Sequence, residues 1–267
     1  MSVSANLTGL IEAAAPYWAG EAEVVRTYWA WTGRTRETDR RWLALQCYKE
    51  FLGFGAPGDL GPFRGPLEDL RKVFPRIDVD VDRHEVLDSV AGLHAEFAHY
   101  CAFADVHDRL GLPGEPKLNP TMLAIWPEEE ELARVRREHM TVHGALGRRA
   151  VQFTEGGYCT LFSEAMKLRE RPTPGHEETD RLIAEACARV YDDEFGHMLK
   201  GIVGLDDEKL ADAEWRRLAD MSIDELRHRI LMRNAQFGRP VGEARVKELL
   251  DGRGQPIAFD YARASLG

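Results

Sequence analysis

The sequence has no uninterrupted apolar run of about 18 residues, so we predict no membrane-spanning helix. Residues 1–15 lack the basic start and long apolar stretch of a signal peptide. Only four cysteines occur, none in a CxxC spacing, which excludes a disulfide scaffold and suits a reducing compartment. A formal net charge of -10 without a basic stripe excludes nucleic acid as the main partner. These absences together predict a soluble cytoplasmic protein.

Strand-like alternation of apolar and polar residues is also almost absent. The one short candidate, 77–81 (IDVDV), is too brief to build a sheet. Hydrophobic residues make up 44% and charged residues 30% of the chain, a balance typical of globular proteins. Because helical periodicity dominates, we predict an all-α helical bundle over residues 1–204. A helical extension, 205–267, is expected to pack on the same domain.

Glycine- and proline-rich breaks divide the chain into segments of helical length. The long predicted helices are 16–31, 38–54, 84–110, 127–169 and 177–203. A short helix is predicted near 66–73, within a long connection, and two more within 207–235. The last 25 or so residues are expected to be peripheral.

The same Glu-x-x-His pattern occurs in two of the long helices. Glu96 and His99 (EFAH) form one pair, and Glu194 and His197 (EFGH) form the other. At a spacing of three, both side chains of a pair lie on one helical face and can bind the same ion. Each pair lies on an otherwise apolar stripe, where an ionised glutamate is costly unless its charge is compensated. The simplest explanation is a metal site that both pairs share.

A further glutamate lies on an apolar stripe of the predicted helix 127–169. Glu155 shares that stripe with Val151 and Phe162, so we expect it to point inward. The chain lengths from Glu155 and from Glu194 to the break at 172–175 are nearly equal. In an antiparallel pair of helices, the two glutamates would therefore lie at one height. Two glycines, 156 and 157, could leave room beside Glu155 for a substrate or dioxygen.

One Glu from each of two helices, with Glu-x-x-His from two others, is the ligand set of the ferritin-like di-iron carboxylate proteins. This sequence resembles that set, with Asp193 at the position where the family often has an acid that supports a ligand histidine. The resemblance implies the following metal ligands: Glu96, His99, Glu155, Glu194, His197 and one acid from an earlier helix. Two candidates remain for that acid, Glu50 and Glu21, and Glu50 is preferred.

The stretch 28–51 also resembles the first helical hairpin of heme-oxygenase-like proteins, which include thiaminase-like enzymes and di-iron oxidases. The ligand pattern departs from those oxidases at Gly92 and Val190, where they have a Glu and a His. The topology, ferritin-like or heme-oxygenase-like, therefore stays open.

Together the resemblances imply a non-heme di-iron oxidase or oxygenase. Such an enzyme would bind two iron ions, with manganese as the alternative, and use O2 to oxidise a small organic substrate. An electron donor and a second copy of the chain are the partners left open. The alternatives are a ferroxidase or other iron-handling ferritin-like protein, and a metal-free heme-oxygenase-like hydrolase or binding protein.

Overall fold

The computed structural model describes residues 3–51 and 64–264. The protein is all-α, as predicted: it is 77% helical, and the described residues form no strand. Ile77 and Val81 make an isolated bridge, so the expectation that this segment builds no sheet is confirmed. Across the described part, none of the helices has both the length and the apolar character needed to span a membrane.

Helices of very different length follow one another along the described ranges. In chain order, the α-helices are α1 (Ala5–Trp29), α2 (Arg36–Phe51), α3 (Arg64–Val73), α4 (Arg83–Arg109), α5 (Pro127–His143), α6 (Ala145–Thr154), α7 (Thr160–Met166), α8 (Glu177–Val203), α9 (Asp212–Gln236), α10 (Glu243–Leu250) and α11 (Tyr261–Ala264). Short 3-10 segments lie at Phe74–Arg76, Pro120–Met122, Glu155–Cys159, Lys167–Arg169 and Gly204–Glu208.

The chain divides into two compact units. The discontinuous unit comprises Met1–Arg34 and Trp126–Gly267, and the continuous unit is Thr35–Ile125. The residues after 204, which the sequence predicts as a helical extension of the same domain, belong to the discontinuous unit together with α1, and the division at 204 stays a prediction.

In the discontinuous unit, α1 and α9 pack side by side in parallel. Glu21 contacts Arg229, and further along both helices the rings of Tyr28 and Phe237 lie 4.7 Å apart. Gly20 permits the close approach, since a Cβ there would lie 2.9 Å from Ile230 Cδ1. Because α1 also packs on α7 and α10, most of its residues are buried.

The predicted start of the first helix at Pro16 is wrong, because α1 begins at Ala5 and Pro16 lies in its interior. The Ser4 hydroxyl caps the helix by accepting a hydrogen bond from the Leu7 backbone N–H at 3.1 Å. Leu7 and Ile11 are buried, so the apolar face runs through the proline without a break. Packing of this face outweighs the hydrogen bond that proline removes.

The predicted helix 127–169 is wrong, because the chain breaks twice within it. Gly144 (φ 55°) separates α5 from α6, and a left-handed segment separates α6 from α7. The two short helices predicted within 207–235 are instead one helix, α9. The C-terminal residues are not simply peripheral, since Val246 and Leu249 of α10 are buried. The helices predicted at 84–110, 177–203 and 66–73 are confirmed as α4, α8 and α3.

In the continuous unit, α2 and α4 pack antiparallel. Arg40 near the start of α2 pairs with Glu115, just beyond α4. Cys47 Sγ lies 3.9 Å from the carbonyl oxygen of Tyr100, and the ring of Phe51 lies 5.1 Å from that of Tyr100. The predicted end of the second helix at residue 54 lies outside the described residues. The C-terminal half of α4 is its more buried half, and this half carries the first Glu-x-x-His pair.

Candidate metal centre

Glu96 and His99 lie on one face of α4, as their spacing of three predicts. Glu50, near the end of α2, joins them. Each of the three residues offers one ligand atom, and these atoms all lie within 4.8 Å of one another. Two atoms bound to one ion at roughly 2.1 Å lie at most about 4.2 Å apart. The three side chains therefore need little movement to hold a common ion.

The cluster brings negative charge into a buried place. Glu50 is 7% exposed and His99 is 2% exposed, while Glu96 is half-buried. The Gln46 side-chain amide donates a hydrogen bond to Glu50 Oε1 at 2.5 Å, and Glu50 Oε2 lies 3.8 Å from His99 Nδ1. Two carboxylates this close repel each other unless a cation lies between them. This donor set, two carboxylates and an imidazole, suits iron or manganese.

Cys47 lies one turn before Glu50 on α2 and is fully buried. Burial, together with the negative charges of Glu50 and Asp108, raises the pKa of the Cys47 thiol well above its usual range. The sulfur is therefore an uncharged thiol, and the candidate ligands in this cluster are oxygen and nitrogen atoms.

The two candidates for the acid from an earlier helix, Glu21 and Glu50, lie in different surroundings. Glu21 is 1% exposed and is bound by two arginines of α9: Arg229 Nη2 and Arg233 Nε each lie 2.9 Å from Glu21 Oε1. Burial alone would raise the pKa of Glu21, but the two guanidinium groups outweigh it and hold the pKa below its usual value. The charge of Glu21 is thus already compensated, and it is Glu50 that lies with Glu96 and His99.

The prediction that Glu155 points inward on an apolar helical stripe is wrong, because α6 ends at Thr154 and Glu155 is exposed. The residues that follow, Gly156, Gly157, Tyr158 and Cys159, all have left-handed backbone angles, with φ between 52° and 69°. Gly157 does not open space for a substrate. A Cβ there would lie 2.0 Å from Glu21 Oε2 and 2.6 Å from Arg229 Nη2, so the backbone packs directly on that ion pair. The ligand role of Glu155 stays a prediction.

The second Glu-x-x-His pair lies on α8, in the discontinuous unit. The predicted apolar stripe is confirmed, since Ile183, Cys187 and Val190 are fully buried. Glu194 follows that stripe and is half-buried, whereas Asp193 is exposed. His197 belongs to the helix, but its side chain lies outside the described part of the structure. The metal role of this pair and the supporting role of Asp193 stay predictions.

Gln46, which orients Glu50, is not among the residues predicted from the sequence. Its role could have been predicted, because residues four apart on a helix meet, and the amide of a glutamine beside a candidate ligand can hydrogen-bond to it.

Comparison of the chain with protein-family models, curated proteins and solved structures finds no match.

Proposed function

We propose that this protein is a non-heme di-iron oxidase or oxygenase, which uses O2 to oxidise a small organic substrate. The cluster of Glu50, Glu96 and His99 carries the proposal. It contains the first predicted Glu-x-x-His pair and the preferred acid from an earlier helix, and its oxygen and nitrogen donors suit iron.

In this proposal, Glu50, Glu96 and His99 hold one iron ion, and Glu194 and His197 contribute to the second. Glu155 is the remaining proposed ligand, and Asp193 would support a ligand histidine. Iron supplies the electron transfer to O2 that protein side chains cannot.

The protein's own contribution is to fix and shield the ligands. Gln46 holds one oxygen of Glu50 and leaves the other directed toward His99. The burial of Glu50 and His99 keeps bulk water from those ligand atoms. An electron donor would return the iron to its reduced state between turnovers. We place the activity in the cytoplasm, because all four cysteines are described and none forms a disulfide.

Iron binding by matched variants of α4 tests the proposal. His99→Ala removes a proposed ligand, and His94→Ala removes an exposed histidine of the same helix. Each protein is loaded anaerobically with Fe(II) and desalted, and its iron is counted by elemental analysis. We expect two iron ions per chain in the unchanged protein and in His94→Ala, and at least one fewer in His99→Ala.

A second pair of variants tests the acid. Glu50→Gln is expected to lose iron, whereas Glu85→Gln, at an exposed position of α4, is expected to retain it. Oxygen uptake by the Fe(II) protein, followed with an oxygen electrode, should fall in parallel with bound iron. An unchanged protein that binds no iron, or a His99→Ala variant that binds and consumes O2 normally, would contradict the proposal. If the protein instead forms an assembly of cage size that mineralises iron, iron storage replaces oxidation of a substrate as the proposed function.

A further inference from the structure

The discontinuous unit contains a cavity of about 600 Å³, a volume typical of small-molecule sites. One wall is aromatic and consists of Tyr158, Tyr191 and Phe195. The ring of Phe195 lies 5.6 Å from that of Tyr158 and 5.2 Å from that of Tyr191. The Tyr158 hydroxyl accepts a hydrogen bond from the Asp260 backbone N–H at 2.7 Å, which holds that ring in place. The wall is therefore a fixed apolar surface suited to a flat molecule.

The lining contains two cations, Arg26 and Lys167, and two acids, Glu164 and Asp260, and both cations lie at the end where Glu164 lies. Arg26 Nη1 and Lys167 Nζ donate to the same atom, Glu164 Oε1, at 2.9 Å and 2.8 Å. Glu164 is 6% exposed, whereas the two cations are half or more exposed. Each cation has further N–H groups to donate. Two cations that share one carboxylate leave one positive charge in excess, which favours an anionic ligand at this end.

Thr160 supplies an independent observation. It lines the same cavity and is 1% exposed, and its hydroxyl makes no hydrogen bond within the described part of the protein. A buried hydroxyl without a partner is costly, so a ligand atom that pairs with it would be favoured. Thr160 begins α7 and Lys167 directly follows its end, seven residues on, which corresponds to roughly 10 Å at the helical rise. A ligand that reaches both needs a polar group at each end.

We propose that this cavity binds a small aromatic carboxylic acid. Its carboxylate pairs with Arg26 and Lys167, its ring lies against Tyr158 and Phe195, and a polar group at its far end hydrogen-bonds to Thr160. None of the residues that carry this inference is a proposed iron ligand, so it does not depend on the iron proposal.

Calorimetric titration of the full-length protein with three probes tests the charge preference. The probes are para-hydroxyphenylacetate, phenylacetate, and the neutral para-hydroxybenzyl alcohol. We expect para-hydroxyphenylacetate to bind roughly tenfold or more tightly than the alcohol. Lys167→Met should remove most of that preference. Lys247→Met, at an exposed position of α10 that does not line the cavity, should leave it unchanged.

Thr160→Val tests the far end, since it replaces the unpaired hydroxyl with a methyl group of similar size. The variant should be at least as stable to urea as the unchanged protein, because no hydrogen bond within the described residues is lost. It should bind para-hydroxyphenylacetate no better than phenylacetate. Equal affinity of the unchanged protein for acid and alcohol, or no binding of either acid at millimolar concentration, would overturn the proposal. Iron content plays no part in these measurements.

Discussion

The left-handed segment between α6 and α7 provides a sharp test of the packing around Glu21. Both Gly156 (φ 69°) and Gly157 (φ 52°) have backbone angles that cost an alanine about 1–2 kcal/mol. Their surroundings differ. A Cβ on Gly156 would meet only Cys159 Sγ, at 3.8 Å, whereas a Cβ on Gly157 would lie 2.0 Å from Glu21 Oε2. Gly156→Ala is therefore a matched control in which only the backbone cost applies.

We expect Gly157→Ala to be the more destabilising of the two by about 1–3 kcal/mol, the usual cost of overpacking a buried site. The total for Gly157→Ala is then about 2–5 kcal/mol. The gain from a stiffer unfolded chain is the same in both variants and cancels in the comparison. Urea unfolding followed by far-UV circular dichroism measures the difference.

Equal losses of unfolding free energy in the two variants would refute this reasoning, because they would show that only the backbone angle matters at residue 157. A larger loss in Gly156→Ala would refute it as well.

Two further predictions concern titration and thiol reactivity. A hydrogen bond from His139 Nδ1 to Glu225, at 2.9 Å, raises the pKa of His139 above 6.5. The stabilisation of the folded protein by this hydrogen bond is thus complete below about pH 6.5 and is lost as the pH rises through the folded-state pKa of His139. The free energy of unfolding, measured in urea across this range, should fall less with rising pH in His139→Gln than in the unchanged protein. An equal fall in the two proteins would contradict the assignment. Iodoacetamide at about pH 8 should modify Cys101, which is half-buried, before Cys47, whose pKa burial raises well above the ordinary value. Mass spectrometry of the native protein measures the order, and earlier labelling of Cys47 would contradict it.

The long helices that the sequence predicts well are those with strong local boundaries. α8 begins just after the break at 172–175, and α4 ends before the glycine and proline residues at 111–114. Both signals are readable from neighbouring residues alone. The predicted helix 127–169 fails because its second break depends on tertiary contacts. Gly157 is held against Glu21 and Arg229, which lie far away in the chain, and Tyr158 adopts a left-handed angle that its own type disfavours.

The candidate site likewise has residues that the sequence predicts and residues that it does not. Glu96 and His99 are predictable, because a spacing of three within one helix fixes their common face. The sequence gives only a preference for Glu50 over Glu21. The arginines that compensate Glu21 come from α9, 208 and 212 residues further along the chain. No local pattern near Glu21 indicates them.

The parallel pairing of α1 with α9 has a consequence for biosynthesis. Glu21 and Arg229 are 208 residues apart, so at about 5–20 residues per second the ribosome makes the second roughly 10–40 s after the first. During that interval α1 has no α9 to cover its apolar face, whereas the continuous unit, Thr35–Ile125, has all of its residues about halfway through it. The nascent chain thus exposes the apolar face of its first helix for that time, and the ion pair at Glu21 forms late in synthesis.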